Sequence, residues 1–376
     1  MNDKKTVSLS QLCTLNMGQS PSSESYNTEQ DGLPFYQGNA DFGDIHPCAR
    51  VWCNNPTKIA EANDILLSVR APIGALNITK ERCCIGRGLA ALTPIPEKCS
   101  LMYLYYALKS KVKILEQQGT GSTFKAVGKD KVSALQIPIY AIEEQDCISD
   151  ILTCVDAGIE KAHRQLAELD TLVKSRFIEM FGDPVTNPMG WATARLEELG
   201  ELNRGVSKHR PRNAPELLDG PYPLVQTGDV ANAETYITKY SSTYSEVGLK
   251  QSRMWSKGTL CITIAANIAK TGILTFDACF PDSVVGFIAG ERTNQLYMHH
   301  WFSFFQKILE EQAPQSAQKN INLQILSNLS VMNPPIDLQN QFAAFVEQVD
   351  KSKLVLYKLL KKQELLRAAL MQEYFG

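Results

Sequence analysis

The sequence predicts an α+β protein with two mixed α/β domains in pseudo-two-fold repeat, separated by two long helices forming an antiparallel coiled coil. Three observations lead there. "KILEQQGTGSTFKAV" from Lys113 returns as "KILEEQAPQSAQKNI" from Lys307, 194 positions later in a chain of 376 residues. Two segments almost free of Pro and Gly carry apolar residues at steps of three and four, which is a heptad seam. Around them stand short alternating apolar runs punctuated by Gly, Pro and Asn, which read as strands and turns.

The echo extends beyond its centre. At the same offset Ser122 meets Ser316, Lys125 meets Lys319, Val127 meets Ile321 and Leu135 meets Leu329. "VDAGIEKAHRQLAELDTLVKSRFIEMFG" from Val155 then overlies "VDKSKLVLYKLLKKQELLRAALMQEYFG" from Val349. Upstream the likeness loosens. "LPFYQGNAD" from Leu33 faces "YPLVQTGDV" from Tyr222, pairing Pro34 with Pro223 and Gln37 with Gln226, and "ILLSVRAPIG" from Ile65 faces "LCITIAANIA" from Leu260. A duplication whose globular parts have diverged more than its helices explains the pattern.

Residues 1–142 form the first mixed unit, with strand-like runs at Ile65–Val69, Leu89–Leu92 and Ala134–Ile139 and one helical stretch, "SLMYLYYALKSKVKILEQQ". Residues 143–183 are the first helical spacer, its seam running through Leu152, Val155, Ile159, Ala162, Leu166, Leu169 and Val173. The second mixed unit, 184–335, is entered through the turn-rich "GDPVTNPMGW". The second spacer, 336–376, repeats the spacing through Phe342, Phe345, Val349, Leu356, Leu359, Leu366 and Leu370, with Ser352 and Gln363 interrupting it. An apolar stripe left in water gains nothing, so each spacer requires a partner surface. Being copies, the two helices are expected to pair with each other. The alternatives are that each packs on its own globular unit or joins an intermolecular coiled coil. A helix of roughly 35 residues reaches on the order of 50 Å, enough to hold two globular units apart.

Hydrophobic residues make up 44% and charged residues 21%, the balance of an ordinary globular chain. No apolar run reaches transmembrane length and "MNDKKTVSLSQL" lacks a signal-peptide core, so the cytoplasm is the expected compartment and no membrane partner is expected. The ten cysteines are scattered, with one adjacent pair (Cys83, Cys84) and no C-x-x-C, so free thiols are expected. His299 and His300 have no cysteine close in sequence, and no metal site is expected. The net charge is −2, and neither half is a basic module. Contact with nucleic acid then needs a local patch, or a partner that shares the phosphates.

Two divergent heads on a rigid spacer suit a two-part target of fixed pitch, of which duplex DNA is the natural example. Over essentially its whole length the chain resembles the specificity subunit of type I restriction-modification systems. The likeness is carried by "DILLSVRAPIG" (Asp64–Gly74), "CIGRGLAAL" (Cys84–Leu92), "GTGSTFKAV" (Gly119–Val127), "IPIYAIEEQ" leading into the first spacer, and "RFIEMFGDP" with "NPMGW" at the junction. In the second half "CITIAANIAKTGI" and "APQSAQKNI" depart from the Ser-Val-Arg and Gly-Thr-Gly phrases, which suits heads reading different half-sites and leaves residue transfer into the second head open. The resemblance implies a non-catalytic subunit whose two target recognition domains each read one half of a bipartite double-stranded DNA sequence. It implies helices that set the gap and dock two DNA adenine methyltransferase subunits, with restriction subunits joining the assembly. No cofactor is implied for this chain: S-adenosylmethionine belongs to the methyltransferase, and ATP with Mg2+ to the restriction subunit. The alternatives are a coiled-coil scaffold for protein interactions, or the specificity subunit of a related type II methyltransferase/nuclease complex.

Candidate DNA contacts follow. Ser68 and Arg70 end a predicted strand before "APIG", and Arg87 lies between glycines in "GRG". A turn Arg reaches guanine O6 and N7 or braces a phosphate, and glycine flanks permit close backbone approach. Pairing with a carboxylate at a strand end explains the same residues. Gln37 and Asn39, with their counterparts Gln226 and Thr227, stand in loops after a proline, where amides read adenine N6 and N7 or bond their own backbone. Lys125, preceded by Ser122 and Thr123, recurs as Lys319, while Asn267 and Lys270 lie in the second head's substitute for the Ser-Val-Arg phrase. "SKHRPRN" gathers four potentially basic groups, Lys208, His209, Arg210 and Arg212, either a phosphate patch or a solvated loop.

Two phrases invite other readings. "NPPI" at Asn333–Ile336 resembles the N-P-P-aromatic phrase of adenine methyltransferases, but Ile336 cannot stack on an extruded base. The corresponding place before the first spacer reads "IPIY", so prolines introducing a helix explain both. "GTGST" is no P-loop, because Thr123 and Asp130 stand where that motif needs Gly and Ser or Thr.

Overall fold

The apolar runs become the central strands of a two-sheet body that occurs twice. The computed structural model describes residues 4–119, 125–265, 268–312 and 321–376, with side chains of 307–312 left aside. Residues 1–163 with 358–376 make up unit 1, and residues 164–357 make up unit 2. The helices, in chain order, are α1 (Leu101–Ser110), α2 (Val112–Gln118), α3 (Lys129–Ser133), α4 (Ile142–Phe181), α5 (Leu196–Leu199), α6 (Thr227–Ala231), α7 (Glu246–Lys250), α8 (Gln295–Gln312), α9 (Leu323–Ser327) and α10 (Ile336–Phe375). The spacers α4 and α10 begin and end 194 positions apart, as the echo requires.

In unit 1 an antiparallel sheet runs in the order Cys13–Met17, Leu89–Pro94, Ile65–Ser68, Leu76–Ile78. A strand's successive side chains point to opposite faces. Ile65 and Leu67 therefore join Tyr103, Leu104 and Leu108 of α1, whereas Leu66 joins Tyr36, Ile85 and Leu89 between the sheets. That double burial is why Ile65, Leu66 and Leu67 are apolar without alternation. The second sheet has the order Tyr26–Asn27, Trp52–Cys53, Leu33–Tyr36, Cys83–Ile85, Ile59–Ala60, with Phe35 and Cys84 in a parallel pair.

Unit 2 repeats the plan. Its first sheet runs Gly200–Arg204, Val284–Ala289, Leu260–Thr263, Thr271–Leu274, Tyr236–Ile237, and its second runs Ser242–Tyr244, Leu218–Leu224, Ala278–Cys279, Met254–Trp255. Identical fastenings recur at the 194-residue offset. Tyr103 donates its hydroxyl to Pro138 O at 2.8 Å, and Tyr297 donates to Met332 O at 2.7 Å. Gln145 and Gln339, both fully buried, tie the first turn of each spacer to its body. Ser100 N donates to Gln145 Oε1 while Gln145 Nε2 donates to Lys98 O and Tyr140 O. Asn294 N and Thr293 Oγ1 donate to Gln339 Oε1, and Gln339 Nε2 donates to Arg292 O, Asn333 Oδ1 and Pro334 O.

Two local expectations need adjusting. The helical stretch from Ser100 breaks at Lys111, whose Nζ donates to Phe375 O at 2.8 Å and so caps α10 within unit 1. The strand expected over 134–139 contracts to Gln136–Pro138, paired with Thr6–Ser8, because Ala134 closes α3.

In each unit α4 and α10 run antiparallel. In unit 1, Arg367 Nη1 lies 3.2 Å from Asp156 Oδ1, and Gly158 lies against Gln363. In unit 2, Lys353 is ion-paired with Asp170, and Phe342 meets Phe177 and Phe181 edge-on at 5.4 and 5.6 Å. Asp156 and Asp170 stand 14 positions apart, as do Lys353 and Arg367, two heptads on each helix and therefore one register. The α4 seam is the one read from sequence: Leu152, Ile159, Ala162, Leu166 and Val173 are all buried. The α10 seam differs in its C-terminal half. Leu359 and Leu366 are exposed, at 45% and 49%, while Val346, Lys353 and Leu360 are buried and Gln363 and Arg367 are half-buried. The three-and-four spacing is kept with polar residues in it, because α4 supplies Asp156 and Asp170 as counter-charges and Gly158 as room. Each spacer also enters a core, Ile148, Leu152 and Phe375 in unit 1 and Phe177, Phe181 and Phe342 in unit 2.

Candidate nucleic-acid interface

Five residues singled out from sequence line one open cleft of about 360 Å³ in unit 1: Gln37, Asn39, Ser68, Arg70 and Arg87. They arrive from three places in the chain. Gln37 follows strand Leu33–Tyr36, and its backbone amide donates to Asp41 Oδ2 at 2.8 Å, while Arg50 Nη2 donates to Asp41 Oδ1 at 2.7 Å. Asn39 opens the short turn beyond it. Arg87 sits between strands Cys83–Ile85 and Leu89–Pro94. A Cβ on the neighbouring Gly88 would lie 2.4 Å from Gln37 O, so only glycine lets the Arg87 turn close on the Gln37 loop.

Arg70 lies two residues beyond strand Ile65–Ser68, in an isolated antiparallel bridge to Ala126. Ser68 is buried and donates its hydroxyl to Arg70 O at 2.9 Å, so it shapes the Arg70 turn and offers outward only what that bond leaves. Both guanidiniums are on exposed residues, and among the described residues neither has a carboxylate within ion-pair distance. The cleft also contains Tyr26 and Ser20, which the sequence did not flag. Tyr26 stacks on Phe35 with centroids 4.7 Å apart and donates to Pro21 O, and Ser20 Oγ accepts from Arg87 N. Lys125 lies beside the same turn: its carbonyl accepts from Ala71 N and its side chain is exposed.

The second-head candidates are placed differently. Lys208 and His209 are fastened by their backbone amides, which donate to Gln251 Oε1 at 2.6 and 3.1 Å, so this loop is built rather than merely solvated. Arg212 Nη2 bonds Asp282 Oδ1 at 2.5 Å, and Arg210 Nη2 lies 3.6 Å from Asp282 Oδ2 while its Nη1 donates to Ser207 O and His209 O. The expected basic patch is thus partly neutralised by a carboxylate from a distant turn, leaving Lys208 as its exposed ammonium. Gln226 repeats the device of Gln37, its amide donating to Asp229 Oδ2 at 2.8 Å, and Thr227 begins α6. Lys270 is bound through its backbone to Thr263. Ser122, Thr123, Asn267 and Lys319, with Ser316, lie outside the described residues.

Elsewhere the chemistry is inward-facing. The Asn333 side chain of "NPPI" accepts from Gln339, and α10 starts at Ile336, so the phrase introduces a helix. His299 is buried against Thr271 at 2.9 Å, and His300 is half-buried beside it. All ten thiols are free, and burial pushes those of Cys13, Cys83 and Cys99 up to about 12. Among the described residues no metal-binding group of His, Cys, Asp and Glu is gathered, and no helix is long and apolar enough to cross a membrane.

Comparisons with known proteins bear on this arrangement. A sequence profile of the type I restriction modification DNA specificity domain matches residues 1–171 and again residues 188–367. The chain is 40% identical over 158 residues to a Methanocaldococcus jannaschii protein named for the specificity subunit of the type I restriction enzyme MjaX, covering 42% of this chain and 37% of that one. It is 29% identical over 176 residues to the type I restriction enzyme MjaIX specificity subunit of the same organism, covering 42% and 39%. The matches therefore span about two fifths of these relatives' lengths. The crystal structure of the type I restriction-modification S subunit from M. genitalium shares the fold at a TM-score of 0.67 with 15% identity, covering 100% of this chain and 97% of that one. A structure concerned with complex assembly and conformational transition of the type I R-M system matches at 0.60, with 15% identity and 100% and 98% coverage. At such identity these two are likenesses of fold alone. The doubled profile covers both repeats read from the sequence and nearly the whole chain, and on that ground the chain belongs to the type I restriction modification DNA specificity family.

Proposed function

We propose that this chain is the non-catalytic, sequence-reading subunit of a type I restriction-modification complex. Each unit reads one half of a bipartite double-stranded DNA target, and α4 with α10 set the gap and dock two adenine methyltransferase subunits. The observation that carries this reading is the unit 1 cleft. Two guanidiniums without a carboxylate partner stand beside two amides on a backbone that glycine keeps close, a donor and acceptor set matched to base edges. The near-zero net charge agrees with partners that supply much of the phosphate contact. Exposed apolar side chains on α10 agree with docking, Leu354 and Val355 in unit 2 and Leu365 and Leu366 in unit 1. S-adenosylmethionine would then be held by the methyltransferase, and ATP with Mg2+ by a restriction subunit.

The test is to co-express the chain with the methyltransferase subunits of its own system and map methylated adenines. A bipartite motif is expected, and Arg70→Ala should relax one half-site while leaving the other and the gap intact. An assembled complex that binds S-adenosylmethionine and methylates no bipartite motif would reject the reading.

A further inference from the structure

Around the cleft the two units repeat one hydrogen-bond pattern, which sets their residues in register. Gly18 N donates to Leu89 O as Gly205 N does to Val284 O, and Leu89 N donates to Gly86 O as Val284 N does to Pro281 O. Val69 N donates to Gly88 O as Ile264 N does to Ser283 O. Phe35 pairs in parallel with Cys84 as Leu224 does with Cys279. In this register Arg87 of unit 1 and Asp282 of unit 2 hold the same position.

The charge there is reversed, and cations return from a different segment. Arg204 grips the Asp282 carbonyl with Nε and Nη2 at 2.9 and 2.6 Å, fixing its backbone. The Asp282 carboxylate faces Arg210 on one oxygen and bonds Arg212 on the other. Arg210 is further committed to two backbone carbonyls. Among the described residues Arg212 bonds Asp282 alone, and its side chain is 48% exposed while paired. A guanidinium tied to the carboxylate through Nη2 keeps its Nε and Nη1 donors to offer, and a pair of such donors meets guanine O6 and N7.

We infer that Asp282 is a positioning residue of the second unit's DNA-reading site, orienting Arg212 toward a guanine of the second half-site. This rests on the DNA-reading function proposed above. Unit 1 presents its cation directly as Arg87, and unit 2 presents one through a carboxylate clamp at the same place. Exposed ion pairs add little to folding, so releasing the clamp leaves the chain folded.

The experiment uses the full chain in complex with its methyltransferase subunits and reads the methylated motif of Asp282→Asn, Arg212→Ala and Arg87→Ala. Arg87→Ala relaxes the first half-site. Asp282→Asn and Arg212→Ala both relax the same guanine position of the other half-site by roughly tenfold. The first half-site and the gap stay as in the wild type, and their retention reports correct folding. The inference is overturned if Asp282→Asn and Arg212→Ala leave the second half-site unchanged, or lower methylation evenly at all sequences, the mark of a phosphate contact. Either result alongside an Arg87→Ala effect leaves the broader reading standing. A wild-type complex without a bipartite mark overturns both.

Discussion

A guanidinium without a carboxylate neighbour and one clamped by a carboxylate look alike in sequence, and the distinction decides what each can meet. Arg70 and Arg87 were legible because glycine and strand-end signals flank them. Asp282 was not, since an aspartate in "PDS" reads as a turn residue and its partners lie about 70 positions upstream. Gln145 and Gln339 were equally hidden, because no local rule marks a glutamine in a charged helix start as fully buried. Their burial carries a prediction. Gln339→Leu keeps the volume but strands Asn294 N and Pro334 O, and each unpaired buried group costs about 1–3 kcal/mol. The unfolding transition of unit 2 should therefore lose about 2–4 kcal/mol in urea titrations, and the same change at Gln145 should act on unit 1. An unmoved midpoint would show the amide to be idle.

At the level of elements, α4 could be read in advance because its seam is apolar at every third and fourth place. The C-terminal half of α10 misled because its apolar residues have the same period in a neighbouring phase. Leu359 and Leu366 face solvent while Lys353, Gln363 and Arg367 take the inner places. Periodicity reports spacing, and the phase is settled by Asp156, Gly158 and Asp170 on the other helix. Helix α8 shows what burial does to a titrating pair. Burial holds His299 down to about 4, and burial together with His299, Lys353 and Lys174 holds His300 well below its ordinary value. The folded unit keeps both neutral, whereas the unfolded chain binds protons below about pH 6.5. Stability from this pair is therefore full above that pH and falls as the pH drops toward 4. Asp350, whose carboxyl burial pushes up, acts in the opposite sense, so the difference between chains is the measure. His300→Leu should flatten the decline between pH 7 and pH 4.5 in unit 2 melts, and an unchanged slope would remove the pair from the acid response.

For the whole molecule, two units that are proposed to read one target must be joined, and among the described residues α4 and α10 are the elements that contribute residues to both. Their shared register permits a clean operation. Residues 157–163 of α4 face residues 360–366 of α10 in unit 1, so both sevens can be removed without changing heptad phase or the Asp156–Arg367 and Asp170–Lys353 pairs. Seven helical residues span about 10 Å, the length of about three base pairs at roughly 3.4 Å each. The doubly shortened chain, assembled with its methyltransferase, should methylate a motif with both half-sites unchanged and a gap about three base pairs shorter. Removing 157–163 alone puts Asp170 out of step with Lys353 and should abolish the mark. If the double deletion methylates with the original gap, the helices do not set the spacing, and the two units must be positioned by something other than the pair of helices they share.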